Sequence, residues 1–132
     1  MSTASLDALF FRCGTATLCV ELRFVSSVLA PENVAMTVLD PRPHLGMTPT
    51  EHGMVGLLDL PGPPVALYLG TVLGTFPLAP RDLLPLPGWL RGALPPILRP
   101  AVTLLDGKVV WLLDLDTLSS APLAPISGER AY

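Results

Sequence analysis

Residues 97–116 read ILRPAVTLL, then Asp106-Gly107, then KVVWLLDLD: two apolar runs separated by two residues. Asp-Gly between such runs is a hairpin signal, because a type I′ turn needs positive φ at both central residues. A second strand-turn-strand unit runs from Val55 to Leu69 across Pro61-Gly62, where glycine supplies a positive φ. Upstream, Leu9-Cys13 and Thr17-Leu22 flank Gly14-Thr15 as a first hairpin, with Phe11 and Cys13 on one face. Val34-Leu39 reads as another strand. Asp40 is placed to cap a short helix that begins at Pro41 and ends at Gly46. Val72-Leu78 continues as strand, bent near Gly74, and single helical turns are expected around Trp89-Leu90 and from Asp116. Short strands with turn signals between them imply an all-β barrel or sandwich.

Composition bounds the rest. A chain of 132 residues is one domain, long enough to bury roughly two-thirds of its unfolded surface. Half of it is apolar and 14% charged, so a packed core is expected, and sixteen prolines with eleven glycines disfavour long helices. The net charge of −3 is mild and the cations are scattered, which argues against a nucleic-acid or anionic-membrane partner. Leu60 to Pro80 carries no charge, yet its five prolines and three glycines are spaced like strand ends and turns, so buried sheet is expected there and not a membrane span. The opening MSTASLDALFF has neither a basic start nor a long apolar stretch, and a cytoplasmic protein is expected. The domain is expected to cover 1–118, with SSAPLAPISGERAY from Ser119 as a flexible tail.

Few residues suggest chemistry. With a two-residue loop, Cys13 faces Ala16 and Cys19 faces Phe10, too far apart for a disulfide, so both read as buried thiols. A zinc site on His44 and His52 would need thiolates or carboxylates at ligand spacing, and the two cysteines lie in strands elsewhere. Asp106, Asp114 and Asp116 could in principle serve acid–base work. The simpler account makes Asp106 a turn residue and lets Asp114 and Asp116 cap a following turn. No Gly-rich phosphate loop and no nucleophile elbow is present. Catalysis, a metal and a cofactor are therefore not expected.

The order and spacing of several phrases resemble the CheW-like family of bacterial chemosensory adaptors over most of residues 8–118. FFRCGTATLCVEL and FVSSVLAP resemble its opening strands, and VLDPRPHLG its strand-plus-short-helix pattern, with Asp40 and Arg42 in place. DLPGPPVALYLGTVLGTFPLAPRDLLPLP and LLDGKVVWLLDLDTL resemble its middle and closing hairpins. The resemblance implies a mainly β fold of two small packed β-barrels, SH3-like subdomains with short helical turns, and an apolar groove between them. That groove would receive the cytoplasmic tip of a chemoreceptor. The matching positions are Val65, Leu67 and Leu69, with Val25 and Val28 on the opposite wall. Alternate residues on one strand share a face, so the three on the 65–69 strand either line the groove or point into the core.

The chain also departs from that pattern. Between Leu29 and Val34 lies only Ala30-Pro31-Glu32-Asn33, where the family carries a longer loop and a further strand with an Asn-Leu-Arg-Gly-like motif. Ser27 stands where the family has the acidic partner of that arginine. The region altered at Ser27, Pro31, Glu32 and Asn33 is the one through which the family contacts its histidine kinase, so weak or absent kinase binding is expected. The short CheW-like protein of the frizzy gliding-motility system shows such a deletion, and this chain resembles it. A shortened first barrel leaves an open edge for a second adaptor or another copy of the chain. Trp89, in the Pro- and Gly-bounded GWLRG, reads as an interface anchor, and Trp111 as core. A conventional receptor-to-kinase coupler, and a small β-barrel ligand-binding module or enzyme, are the alternative readings.

Overall fold

The computed structural model describes residues 6–49 and 52–120. Nine strands and three short helices follow in order: β1 (Leu6–Cys13), β2 (Ala16–Glu21), β3 (Val25–Leu29), β4 (Thr37–Leu39), α1 (Pro41–His44), β5 (Met54–Leu58), β6 (Val65–Leu78), β7 (Leu84–Pro85), α2 (Gly88–Arg91), β8 (Leu98–Leu105), β9 (Lys108–Leu113) and α3 (Leu115–Ser120). The strands run β3-β5-β6-β1-β2-β9-β8-β7, and β4 adds to β6. Among the described residues no helix is long and apolar enough to cross a membrane.

The two hairpin signals are met by different geometries. Asp106 (φ 52°) and Gly107 (φ 78°) both lie in the left-handed region, and Leu105 pairs directly with Lys108, as a two-residue type I′ turn requires. The first hairpin pairs Cys13 with Ala16 and Phe10 with Cys19, the register read from the sequence. Around Pro61-Gly62 the loop is wider than expected. β5 ends at Leu58 and β6 starts at Val65, because the prolines at 61, 63 and 64 have no N–H to donate to a ladder. The strand expected over Val34-Leu39 shrinks to Thr37–Leu39, since Pro31–Asn33 forms a single 3-10 turn and the chain re-enters the sheet late.

One strand ties the molecule together. The first part of β6 pairs with β5 and with β4, and the part from Thr71 onward pairs with β1. β3, β5, the start of β6 and β4 form the first barrel. The remainder of β6 with β1, β2, β9, β8 and β7 forms the second. Gly70 (φ 77°) sits at the crossing, where a Cβ would overlap the carbonyl oxygen of Arg12. β1 runs between two cores and is buried on both faces, which is why Ala8-Leu9-Phe10-Phe11 is continuously apolar. Leu9, Phe11 and Cys13 join the main core with Leu18, Leu67, Leu69, Leu113 and Leu118. Ala8 and Phe10 join a smaller one with Cys19 and Val110, where Phe76 packs edge-on against Phe10 at 4.9 Å. Trp111, expected as core, is half-buried and leans against the main cluster.

α1 begins as the sequence predicts: the Arg42 N–H donates to Asp40 Oδ1 at 2.9 Å. α3 begins one residue earlier than expected, with the Thr117 N–H donating to Asp114 Oδ1 at 3.2 Å. Ser119 and Ser120, assigned to a tail by sequence, belong to α3, and residues 121–132 lie outside the described residues.

Candidate functional site: the inner face of the first barrel

The first barrel is incomplete. Among the described residues β3 pairs only with β5, and β4 only with β6, so four strands form a curved sheet with two free edges. Its inner face is built around Gly56. A Cβ there would come within 3.1 Å of Val25 Cγ1 and 3.2 Å of Leu69 Cδ1, so these two side chains close over the glycine from β3 and β6. Val28 pairs with Gly56, which pairs in turn with Leu67, and directly paired residues share a face. Alternation puts Val65, Leu67 and Leu69 on that same face. The structure thus brings the five sequence-predicted groove residues together.

It divides them into two kinds. Leu67 and Leu69 are fully buried and belong to the main core. Their assignment to a groove surface is therefore corrected: both are core residues, and no part of either reaches solvent. Val25, Val28 and Val65 are half-buried against that core. Sequence reasoning missed Leu22, Phe24 and Leu60, which are half-buried and packed against the same core. Phe24 follows β2 in a 3-10 turn (Leu22–Phe24), and Arg23 stacks over its ring at 4.5 Å. The signal was the apolar alternation of Leu22 and Phe24 next to a strand, obscured by the interposed turn.

The altered region lies beside this face. Ser27 is exposed on edge strand β3, Glu32 and Asn33 are exposed in the 3-10 turn, and Pro31 is half-buried. Trp89, at the first turn of α2, is 80% exposed. The polar group nearest the barrel interior is structural. Arg42 is buried, its Nη2 donates to Asp40 Oδ2 at 2.8 Å, and its guanidinium lies 3.7 Å from the Tyr68 ring centroid. Burial works against the Arg42 cation, and the hydrogen bonds and charge of Asp40 outweigh it, so its pKa lies above the ordinary value. The stacking of Arg42 on Tyr68 fastens α1 to β6.

The residues considered for chemistry are dispersed. Asp106 and Asp114 lie at opposite ends of the six-residue β9, roughly 20 Å apart. Cys13 and Cys19 are buried free thiols on opposite faces of the sheet, in different cores. Burial pushes both up to about 12, and at Cys13 the Asp40 charge adds to this. A thiol pKa raised above its ordinary 9.0 favours the fold below pH 9.0, and that contribution is lost as pH climbs towards about 12. Neither cysteine should react with Ellman's reagent near pH ~8 in the native protein, and both should react once denaturant is added. Fast native labelling of either would show that its core opens.

No protein-family model and no curated protein matches the chain. Among solved structures it is similar to the crystal structure of the scaffolding protein TtCheW from Thermoanaerobacter tengcongensis, with a TM-score of 0.69 at 13% identity, covering 87% of this chain and 92% of that one. The likeness spans both barrels and establishes the fold: this chain has the CheW scaffold architecture of SH3-like β-barrel subdomains, here with four strands in the first barrel.

Proposed function

We propose that this protein is a non-enzymatic adaptor of a bacterial chemosensory system. It holds the cytoplasmic tip of a chemoreceptor on the inner face of its first barrel and binds the histidine kinase weakly or not at all. The observation that carries this reading is the half-open barrel: Val25, Val28 and Val65 are half-buried against its core, and among the described residues β3 and β4 each have an unpaired edge. A helical hairpin laid across such a face buries alternate apolar side chains without needing any group to ionise. The shared fold with a scaffolding protein supports the same class. The free edges of β3 and β4 support a secondary contact, by strand addition, with a second adaptor or another copy of the chain.

Weak kinase binding rests on what stands in the altered region. Ser27 offers no charge, and the short 3-10 turn at Pro31–Asn33 replaces the strand through which the resemblance implies the contact. A conventional coupler is the second reading, favoured by the exposure of Glu32 and Asn33 on an ordered turn, which gives the kinase another place to hold. Titrating the purified chain with a receptor cytoplasmic fragment, and separately with the kinase regulatory domain, decides between them. Receptor binding alone is expected. Binding to both would establish the coupler, and binding to neither would remove the adaptor reading.

Trp89 supplies an independent prediction. Being 80% exposed, it should contribute little to stability, so Trp89→Ala should move the unfolding free energy by less than about 0.5 kcal/mol. As an aromatic anchor it should weaken binding to a protein partner by roughly tenfold or more. A variant that loses stability and keeps its partner would mean that Trp89 is not an anchor.

A further inference from the structure

A cavity of about 270 Å³ lies at one end of the second barrel, where that barrel meets the 3-10 turn at Leu22–Phe24. Small side chains leave it room. Ala8 and Cys19, from the neighbouring strands β1 and β2, line it together with Leu78 of β6 and Leu112 of β9, all from the smaller core. Phe24 supplies the wall towards the first barrel. The volume falls just under the roughly 300–1,000 Å³ of drug-sized sites, which limits an occupant to a small molecule. At about 30 Å³ per water-sized group, it holds on the order of nine such groups.

Four charged side chains border the cavity, and three of them have a structural reason to be there. Glu21 and Arg23 pair with each other at 2.8 Å, and Arg23 also stacks on Phe24. Asp116 lies in the first turn of α3, where the helix dipole favours an acid. Arg99 is the exception: it is exposed and makes no ion pair among the described residues. It also sits on an irregular stretch of strand. The ladder between β8 and β9 shifts register between Leu98 and Val102, and Pro100 within that stretch has no N–H to donate. A bulge re-aims a side chain out of the strand's alternation, here to the edge of the cavity.

We propose that the cavity binds a small aliphatic monocarboxylate, with a tail of roughly five to seven carbons among its apolar walls and its carboxylate on Arg99. The inference does not rest on the adaptor reading. Apolar burial supplies most of the affinity, at roughly a tenfold gain for every two methylenes. Arg99 supplies the choice of head group. Its guanidinium fork takes a carboxylate bidentately, and its weak hydration keeps the cost of that contact low. Asp116 opposes an anion at the same edge, so the preference stays modest.

The test titrates the full chain near neutral pH with sodium hexanoate, 1-hexanol and hexylamine, followed through the amide resonances of Ala8, Cys19 and Leu112. Hexanoate is expected to bind with a dissociation constant on the order of a millimolar, about fivefold more tightly than hexanol. Arg99→Gln should erase that preference and leave the affinity for hexanol unchanged. Ala8→Leu, which fills the cavity, should weaken both ligands by roughly tenfold or more. If Ala8→Leu fails to fold, the comparison of Arg99→Gln with the parent decides alone. A parent that binds hexanol and hexanoate equally, or that prefers hexylamine, would overturn the proposal, because Arg99 would then not select the head group. So would shifts confined to Val25 and Val65 of the first barrel, or no shift with any ligand up to about 10 mM.

Discussion

Gly70→Ala should destabilise the chain by about 2–5 kcal/mol. Two costs coincide at this position. The backbone there has φ 77°, a conformation in which a β-carbon costs about 1–3 kcal/mol. The added carbon also meets the Arg12 carbonyl oxygen, which belongs to a paired strand and cannot rotate away. Gly46 separates the two costs. It has nearly the same φ, 78°, with nothing within 4 Å of its would-be Cβ. Gly46→Ala should therefore cost only about 1 kcal/mol. Urea unfolding of both variants gives the comparison directly. Equal losses would mean that β1 and β6 are not in tight contact where the two barrels meet.

Val28→Asp is expected to weaken receptor-tip binding by tenfold or more. Val28 pairs with Gly56 and is half-buried against the core, so a carboxylate there would have to be desolvated among apolar neighbours when a partner helix lands. Its cost to the free protein should be about 1 kcal/mol, because the position is half-buried. Ser27→Asp provides the control on the same strand. It places the same charge one residue away, at an exposed position, so receptor affinity should stay within about twofold of the parent. If the two variants lose affinity equally, the partner reads the charge of the edge strand and not its inner face, and the site described here is misplaced.

Local rules made much of the fold legible. Asp106-Gly107 and the Asp40 cap each depend on one or two residues and their own backbone, and both form as the sequence predicts. The register of the first hairpin follows from its turn. The reversal around Pro61-Gly62 was legible too: β6 starts at Val65 as read, and β5 ends at Leu58, two residues short of the strand expected. Turn chemistry identified the reversal correctly, and the three prolines then denied the flanking residues a ladder.

The site was legible in membership and not in exposure. A period of two tells which residues share a face, so Val65, Leu67 and Leu69 could be grouped with Val25 and Val28 from the sequence alone. Whether a face is covered depends on what arrives from elsewhere in the chain. Leu9 and Phe11 from β1, and Leu115 and Leu118 from α3, belong to the core that buries Leu67 and Leu69. Val25 and Val28 lie on β3, which among the described residues pairs only with β5.

By itself, then, the sequence determined the strand-rich class, the turns and capped helix start, the pairing of Cys13 with Ala16, and the short connection that leaves the first barrel with four strands. These follow from φ preferences, missing N–H groups and alternation, all of which act over a few residues. Only the tertiary structure decided that one strand, β6, serves both barrels, that Gly70 lies tight against the Arg12 carbonyl of β1, and that the five predicted groove residues are buried core at two positions and half-buried at three. Those outcomes depend on which distant segments meet, and no local preference encodes that choice.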